Sequence, residues 1–243
     1  MRSKNLTIES KVKCGTNFIY EHNVVIYKNV TIGNNVSVGN NVVIYPDTII
    51  GDNVTILDNC IIGKPLRFGA NSARKITQPG PLILKNGVIV GSGSIIYRGS
   101  LIEKNVYIGD MVNIRDRCHI DHDTTIGKMV SLEHHVTIGH HSRVMDCSQI
   151  TEYSEIKNYV FIGPDVSLCS DPSFARIKNA DKKIVIEDKA MIGANASIMP
   201  GVTIGKNALV AGGSVVIKNV PPKKVVLGNP AKILWDVDSS LIL

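Results

Sequence analysis

Three observations predict an all-β chain wound as a triangular parallel coil. Aliphatic residues recur at every sixth position, Gly often follows them, and a small or β-branched residue recurs four positions after each. Neither the 3.6-residue period of a helix nor the plain alternation of a half-buried strand produces a six-residue repeat. The first run holds phase from Ile8 through Ile26, Ile44 and Ile56 to Ile62, the second from Leu84 through Ile120 and Ile138 to Leu168, and the third from Ile186 to Val216. Of 31 such positions only Cys14 and Tyr20 are not Ile, Leu or Val.

Each hexad supplies one short strand and one corner, and three hexads close a turn. The aliphatic and small residues point inward, while Gly and Asn relieve corner positions that favour positive φ. Stacked about 4.8 Å apart as parallel strands, roughly ten coils make a prism. A β-sandwich would not hold strict phase for 15 consecutive hexads. The sequence resembles the hexapeptide-repeat acyltransferases, over nearly its whole length, through the pattern aliphatic-Gly-x-x-small-x. That resemblance implies the left-handed parallel β-helix, with one face of each prism buried in a homotrimer.

The coil is expected over residues 1–220, interrupted by loops at about 64–83 and 170–184, with a C-terminal tail over 221–243. Pro221 and Pro222 stop the coil, and Asn-Pro-Ala-Lys-Ile-Leu beyond them could start a short helix. Both loops are basic. Arg67 and Arg74 in the first and Arg176 in the second are candidates for holding an anionic substrate, and the neighbouring Asp171 is a further substrate-binding candidate.

Composition narrows the function. The chain has 243 residues, 44% hydrophobic and 20% charged, with a formal net charge of +6. That excludes a disordered polymer, and the apolar runs are far too short for membrane insertion. The positive charge suits an anionic ligand but is too dispersed for nucleic acid, and aromatics at 5% are poor for base stacking. Five cysteines without a CxxC pair, behind an N-terminus lacking a signal-peptide stretch, predict reduced thiols in a cytoplasmic protein.

The chemistry concentrates between residues 114 and 141. Six of the seven histidines, His119, His122, His134, His135, His140 and His141, fall there beside Asp116, Asp121 and Asp123. A coil of three hexads stacks His140 on His122 and His134 on Asp116, predicting one flank of imidazoles interleaved with carboxylates. An imidazole oriented by a carboxylate is a general base poised near neutral pH.

His119-Ile-Asp-His122-Asp-Thr resembles the catalytic stretch of two branches of the family, the acyl carrier protein-dependent lipid A acyltransferases and the nucleotide-amino-sugar N-acetyltransferases. On that match His122 is the base, Asp123 orients it, and His140 is the competing base. The segment ending Cys-Ser-Asp171-Pro resembles the 3-amino-sugar N-acetyltransferases, with Ser170 in place of their Asn. The tail Gly-Asn-Pro-Ala-Lys232 resembles the signature of coenzyme A-dependent members. It implies acetyl-CoA as donor, with Lys218, Lys223, Lys224 and Lys232 facing its phosphates. The small residues Ala194, Ala211 and Gly212 would admit a pantetheine arm to the backbone.

The resemblance therefore implies N-acetylation of a nucleotide-linked amino sugar for bacterial surface glycan (lipopolysaccharide or O-antigen) synthesis, with O-acetylation as the alternative. A third reading starts from Ile-Gly-His140-His, which resembles the metal stretch of γ-class carbonic anhydrases. Met145 and Lys104 stand where two of its three ligands belong, so no metal is expected. A non-catalytic scaffold is the remaining alternative.

Overall fold

The computed structural model of the chain describes residues 5–70, 77–171, 176, 182–238 and 240. Its strands are short, most of them two residues, because the aliphatic position and its predecessor alone are extended before the next corner turns. Strands three hexads apart pair in parallel, as in Leu101↔His119 and Ile102↔Ile120. Three sheets of 11, 10 and 12 strands result, visited in strict rotation over about eleven turns. The first opens with Leu6–Ile8, the second with Lys13–Cys14 and the third with Ile19–Tyr20. This is a parallel β-helix, consistent with the left-handed form. Its corners align into three edges, called here 1–2, 2–3 and 3–1 after the sheets they join.

The core is one continuous column inside the prism. From Ile26 to Val216 the sixth-position residues are almost completely buried, most at 0–2% exposure. The fourth residue after each is buried too among the described residues, mostly as Val, Ala, Ser or Thr, with Cys60, Cys118 and Leu66 the others. Four of the inward serines, Ser94, Ser100, Ser142 and Ser148, fit this packing because their hydroxyls donate to backbone carbonyls of the coil above, whereas Ser154 Oγ has no such partner among the described residues. Ser94 reaches Gly109 O at 2.9 Å and Ser142 reaches Lys157 O at 2.8 Å. A buried hydroxyl so paired escapes the desolvation cost of an orphan. Cys14 and Tyr20, the two exceptions in the pattern, lie in the first turn, where Cys14 is exposed.

Positive φ falls at one position per hexad, the third residue after the aliphatic one. Twenty-four non-glycine residues sit there or at its equivalent with φ between 55° and 67°, Asn being the commonest. The glycine directly after the aliphatic residue, expected to serve the same purpose, has a different cause. A Cβ on Gly91 would stand 2.4 Å from the Gly109 carbonyl carbon, and one on Gly193 would stand 2.4 Å from Gly212 N. Glycine is there because the next coil's backbone passes too close for any side chain.

Both excursions leave edge 1–2. Ile62 is in the first sheet and Leu84 in the second, as are Leu168 and Ile186. The in-phase spacing from Leu168 to Ile186 therefore does not represent a further turn of coil; a single step between adjacent sheets has been lengthened into a loop. The tail also departs from expectation. Residues 224–236 form no helix but an antiparallel hairpin, Lys224–Gly228 against Ala231–Asp236, which extends the third sheet. Its first strand reads Lys-Val-Val-Leu-Gly, whose paired valines suit a pleated edge, and Pro230 disfavours helical geometry at the residue before it. Among the described residues there is no α-helix, so none is long and apolar enough to cross a membrane.

Gly91→Ala is expected to destabilise the protein by about 1–3 kcal/mol or to prevent folding, since the added methyl meets backbone rather than a movable side chain. Thermal melting measures it. Burial pushes the Cys60 thiol up to about 11 and the Cys118 thiol up to about 12. In the native protein at pH 8 a thiol reagent is expected to spare both and to reach them only after unfolding.

Candidate active site

Edge 2–3 carries the histidine ladder. The corner positions one turn apart are Asn105, Asp123, His141 and Tyr159, with Lys104, His122, His140 and Asn158 directly before them. His122 Nδ1 lies 2.6 Å from Asp123 Oδ2, with side-chain exposures of 32% and 34%. Asn105, one coil below, donates to the other carboxylate oxygen at 3.0 Å. The hydrogen bonds from His122 and Asn105 hold the Asp123 carboxyl below the ordinary value of 3.8. A carboxylate bonded at Nδ1 fixes the imidazole tautomer, so that Nε2 carries the lone pair available for a proton.

His140 stacks on His122, with ring centroids 5.0 Å apart and planes 5° from parallel. Its Nδ1 faces His141 Nδ1 at 3.0 Å, so no carboxylate orients it as Asp123 orients His122. Tyr159 closes the ladder above, stacked on His141 at 5.0 Å. His141, Tyr159, Arg143 and Phe161 line a cavity of about 390 Å³ that opens onto the third sheet. His122, Asp123 and His141 place possible ligand atoms within 4.8 Å of one another, a spacing that could also accommodate a metal ion.

The single flank expected from the sequence divides in two. His134 and His135 sit on edge 1–2, separated from the ladder by the full width of the second sheet, and His119 points outward from that sheet between them. On edge 1–2, Asp116 is completely buried and paired with Arg117 at 2.6 Å, and His135 stacks on Tyr153 at 4.9 Å. The split follows from coil geometry. Residues two hexads apart fall on different edges; only residues three hexads apart share one.

The remaining candidates are spread over the prism. Ala211 and Gly212 line a shallow cavity of about 240 Å³ with Phe161 and Leu209, and Ala194 lies one coil below on the same edge. Lys218 and Lys232 share a cavity of about 280 Å³ with Asn219 and Ala231. Lys224 is paired with Asp236 at 2.6 Å, and Lys223 turns the last corner of edge 2–3. Arg67, Asp171 and Arg176 lie on the excursions of edge 1–2. Arg74 falls outside the described residues. Sequence reasoning misses Asn105 and Tyr159, although counting one full turn down from Asp123 and one up from His141 reaches them.

Two stretches match family models. Residues 183–218 match the bacterial transferase hexapeptide (six repeats) and residues 22–46 the hexapeptide repeat of succinyl-transferase. The chain carries the repeat of the bacterial hexapeptide transferase superfamily. Over 54 residues it is 57% identical to 2,3,4,5-tetrahydropyridine-2,6-dicarboxylate N-acetyltransferase of Clostridium perfringens. That match covers 22% of this chain and 23% of the relative, so the aligned part spans under a quarter of that protein. A hexapeptide-repeat acetyltransferase of Vibrio cholerae solved with acetyl coenzyme A is 29% identical over 53% of this chain and 69% of its own, with a TM-score of 0.34. GDP-perosamine N-acetyl transferase of Caulobacter crescentus is 19% identical over 65% of this chain and 58% of its own, with a TM-score of 0.41.

A carboxyl whose folded-state pKa is depressed adds stability above its unfolded value and loses it as pH falls through the folded one. In a carbon-detected titration the Asp123 carboxyl is expected to have its midpoint below 3.8, and Asn105→Ala to move that midpoint upward.

Proposed function

We propose that this protein is an acetyl-CoA-dependent N-acetyltransferase, with His122 as general base and the amino group of a nucleotide-linked amino sugar as acceptor. The observation that carries the reading is the 2.6 Å His122–Asp123 hydrogen bond, on the edge of a coil whose turns at 22–46 and 183–218 match transferase repeats. A locally similar relative named as an N-acetyltransferase supports an amine acceptor.

The amine nitrogen attacks the thioester carbonyl carbon while Nε2 of His122 takes its proton. The Asp123 carboxylate, held by Asn105, stabilises the imidazolium that forms. A backbone N–H holds the oxyanion. As the tetrahedral intermediate collapses the C–S bond breaks, the imidazolium returns its proton to the departing thiolate, and the amide remains. Among the cations proposed for the donor's phosphates, Lys218 and Lys232 suit the role best, since Lys224 already answers Asp236. Arg67, Arg74 and Arg176, with Asp171, are proposed for the acceptor side.

A cytoplasmic homotrimer completes the proposal. Ile89 and Tyr107 in adjacent turns of the third sheet, together with Met111 and Met129 on edge 3–1, form an exposed apolar patch suited to packing between protomers, with Phe161 further along the same sheet beyond Thr125 and Arg143. Light scattering is expected to give three times 26.4 kDa, and a monomer mass would contradict it.

His122→Ala is expected to lower turnover about 10²–10⁴-fold with little change in acetyl-CoA affinity, because a base acts on the transition state rather than on donor binding. Asp123→Asn is expected to cost less. Thiol release with amino-sugar nucleotides, their hydroxyl counterparts and tetrahydropyridine dicarboxylate distinguishes the acceptors. Turnover only with hydroxyls would move the reading to O-acetylation.

A further inference from the structure

Edge 1–2 carries a second ladder below the histidines, and one of its rungs is missing. The residue after each buried aliphatic of the first sheet is Tyr27, Tyr45, Gly63 and Tyr97 in successive turns. Tyr27 and Tyr45 stack at 5.3 Å. At the next turn the strand Ile61–Lys64 bulges: Gly63 takes φ +76°, and Lys64 rather than Gly63 pairs with Tyr97. A Cβ on Gly63 would stand 2.3 Å from Thr48 Oγ1, so residue 63 itself cannot carry a ring. What remains is a cavity of about 400 Å³ lined by Tyr45, Lys64, Pro65, Arg67 and Tyr97.

Two turns of parallel coil separate Tyr45 from Tyr97, about 9.6 Å at the usual strand spacing. A flat ring midway would lie about 4.8 Å from each tyrosine, within the range in which aromatic rings stack. Lys64 Nζ lies 5.2 Å from the Tyr97 ring centre, where it can leave that face for an incoming anion. Lys64 and Arg67 make no ion pair among the described residues, whereas the nearby Arg98 and Arg115 answer Asp47 and Glu133. The gap thus offers two tyrosine faces and two uncommitted cations, the complement of a heteroaromatic ring joined to phosphate.

We propose that this gap is a nucleoside-diphosphate site, with the base between Tyr45 and Tyr97 and the phosphates against Lys64 and Arg67. It rests on the proposed function only in naming the acceptor as what the nucleotide carries. The gap and the histidine ladder flank opposite borders of the second sheet.

Calorimetry of the full chain with UDP, GDP and dTDP, without acyl donor, tests the site apart from the reaction. At least one is expected to bind saturably, and inorganic pyrophosphate not to bind. Tyr97→Leu is expected to weaken binding about tenfold or more, Tyr97→Phe to preserve it, and Lys64→Ala to weaken it with a shallower salt dependence. Melting curves check that the variants fold, and Tyr97→Phe separates loss of the ring from loss of the fold. Absence of binding at millimolar nucleotide, or binding unchanged in Tyr97→Leu and Lys64→Ala, overturns the proposal. Tyr97-dependent binding of adenosine 3′,5′-bisphosphate alone, the nucleotide part of coenzyme A, overturns the acceptor assignment and gives the gap to the donor. Nucleotide binding without acyl transfer would remove the reaction and leave the site standing.

Discussion

Everything in this protein depends on the in-register stacking of one coil on the next. Parallel strands one turn apart bond backbone to backbone, so each side chain meets its counterpart from the turn above and the turn below. Inside the prism that counterpart is another aliphatic group, and the core becomes a column of Ile, Leu and Val closed to water. Outside it the same register builds ladders, and ladders are what the chain has to work with. On edge 2–3 Asn17 donates to Asn35 at 2.9 Å and Asn35 to Asn53 at 3.2 Å, which ties successive corners together. Where the ladder changes composition, from Asn105 to Asp123 to His141 to Tyr159, the device that braces corners elsewhere orients an imidazole.

The corner that makes this possible is also the one that strains ordinary residues. Positive φ suits Asn, Asp and Gly, and His is tolerated; bulky residues adopt it at a cost. Along edges 1–2 and 2–3 the position is nevertheless held by Arg117, His135, Tyr153, His141 and Tyr159. The same position is held by Met111, Met129 and Cys147 on edge 3–1 and by Lys11, Lys189 and Lys223 toward the two ends, so such corners are not confined to the histidine-bearing edges.

The fold was legible because six-residue phase has one geometric solution, and from Ile26 onward the inward positions named from spacing are the buried ones, while Ile8 and Cys14 in the uncovered first turn stay exposed. Less of the site could be read. The coil length reached His140 over His122 and the contact with Asp123, yet proximity in sequence merged His134 and His135 with a ladder that lies on another edge. The hairpin of the tail was hidden because Pro-Ala-Lys-Ile-Leu has a plausible local helix start, and its pairing partner, Val225–Val226, is visible only once the third sheet is known to continue. The tyrosine gap was invisible for a related reason. Gly63 looks like any glycine after an aliphatic residue until the bulge shifts Lys64 into register with Tyr97.

The most direct test is a crystal structure of the protein with bound coenzyme A, read for the position of the sulfur. The expected result places the sulfur on edge 2–3, with the reacting centre within hydrogen-bonding reach of His122 Nε2 and the His122–Asp123 contact intact. A sulfur beside His134 and His135 on edge 1–2, or one remote from both histidine pairs, would contradict the assignment of His122.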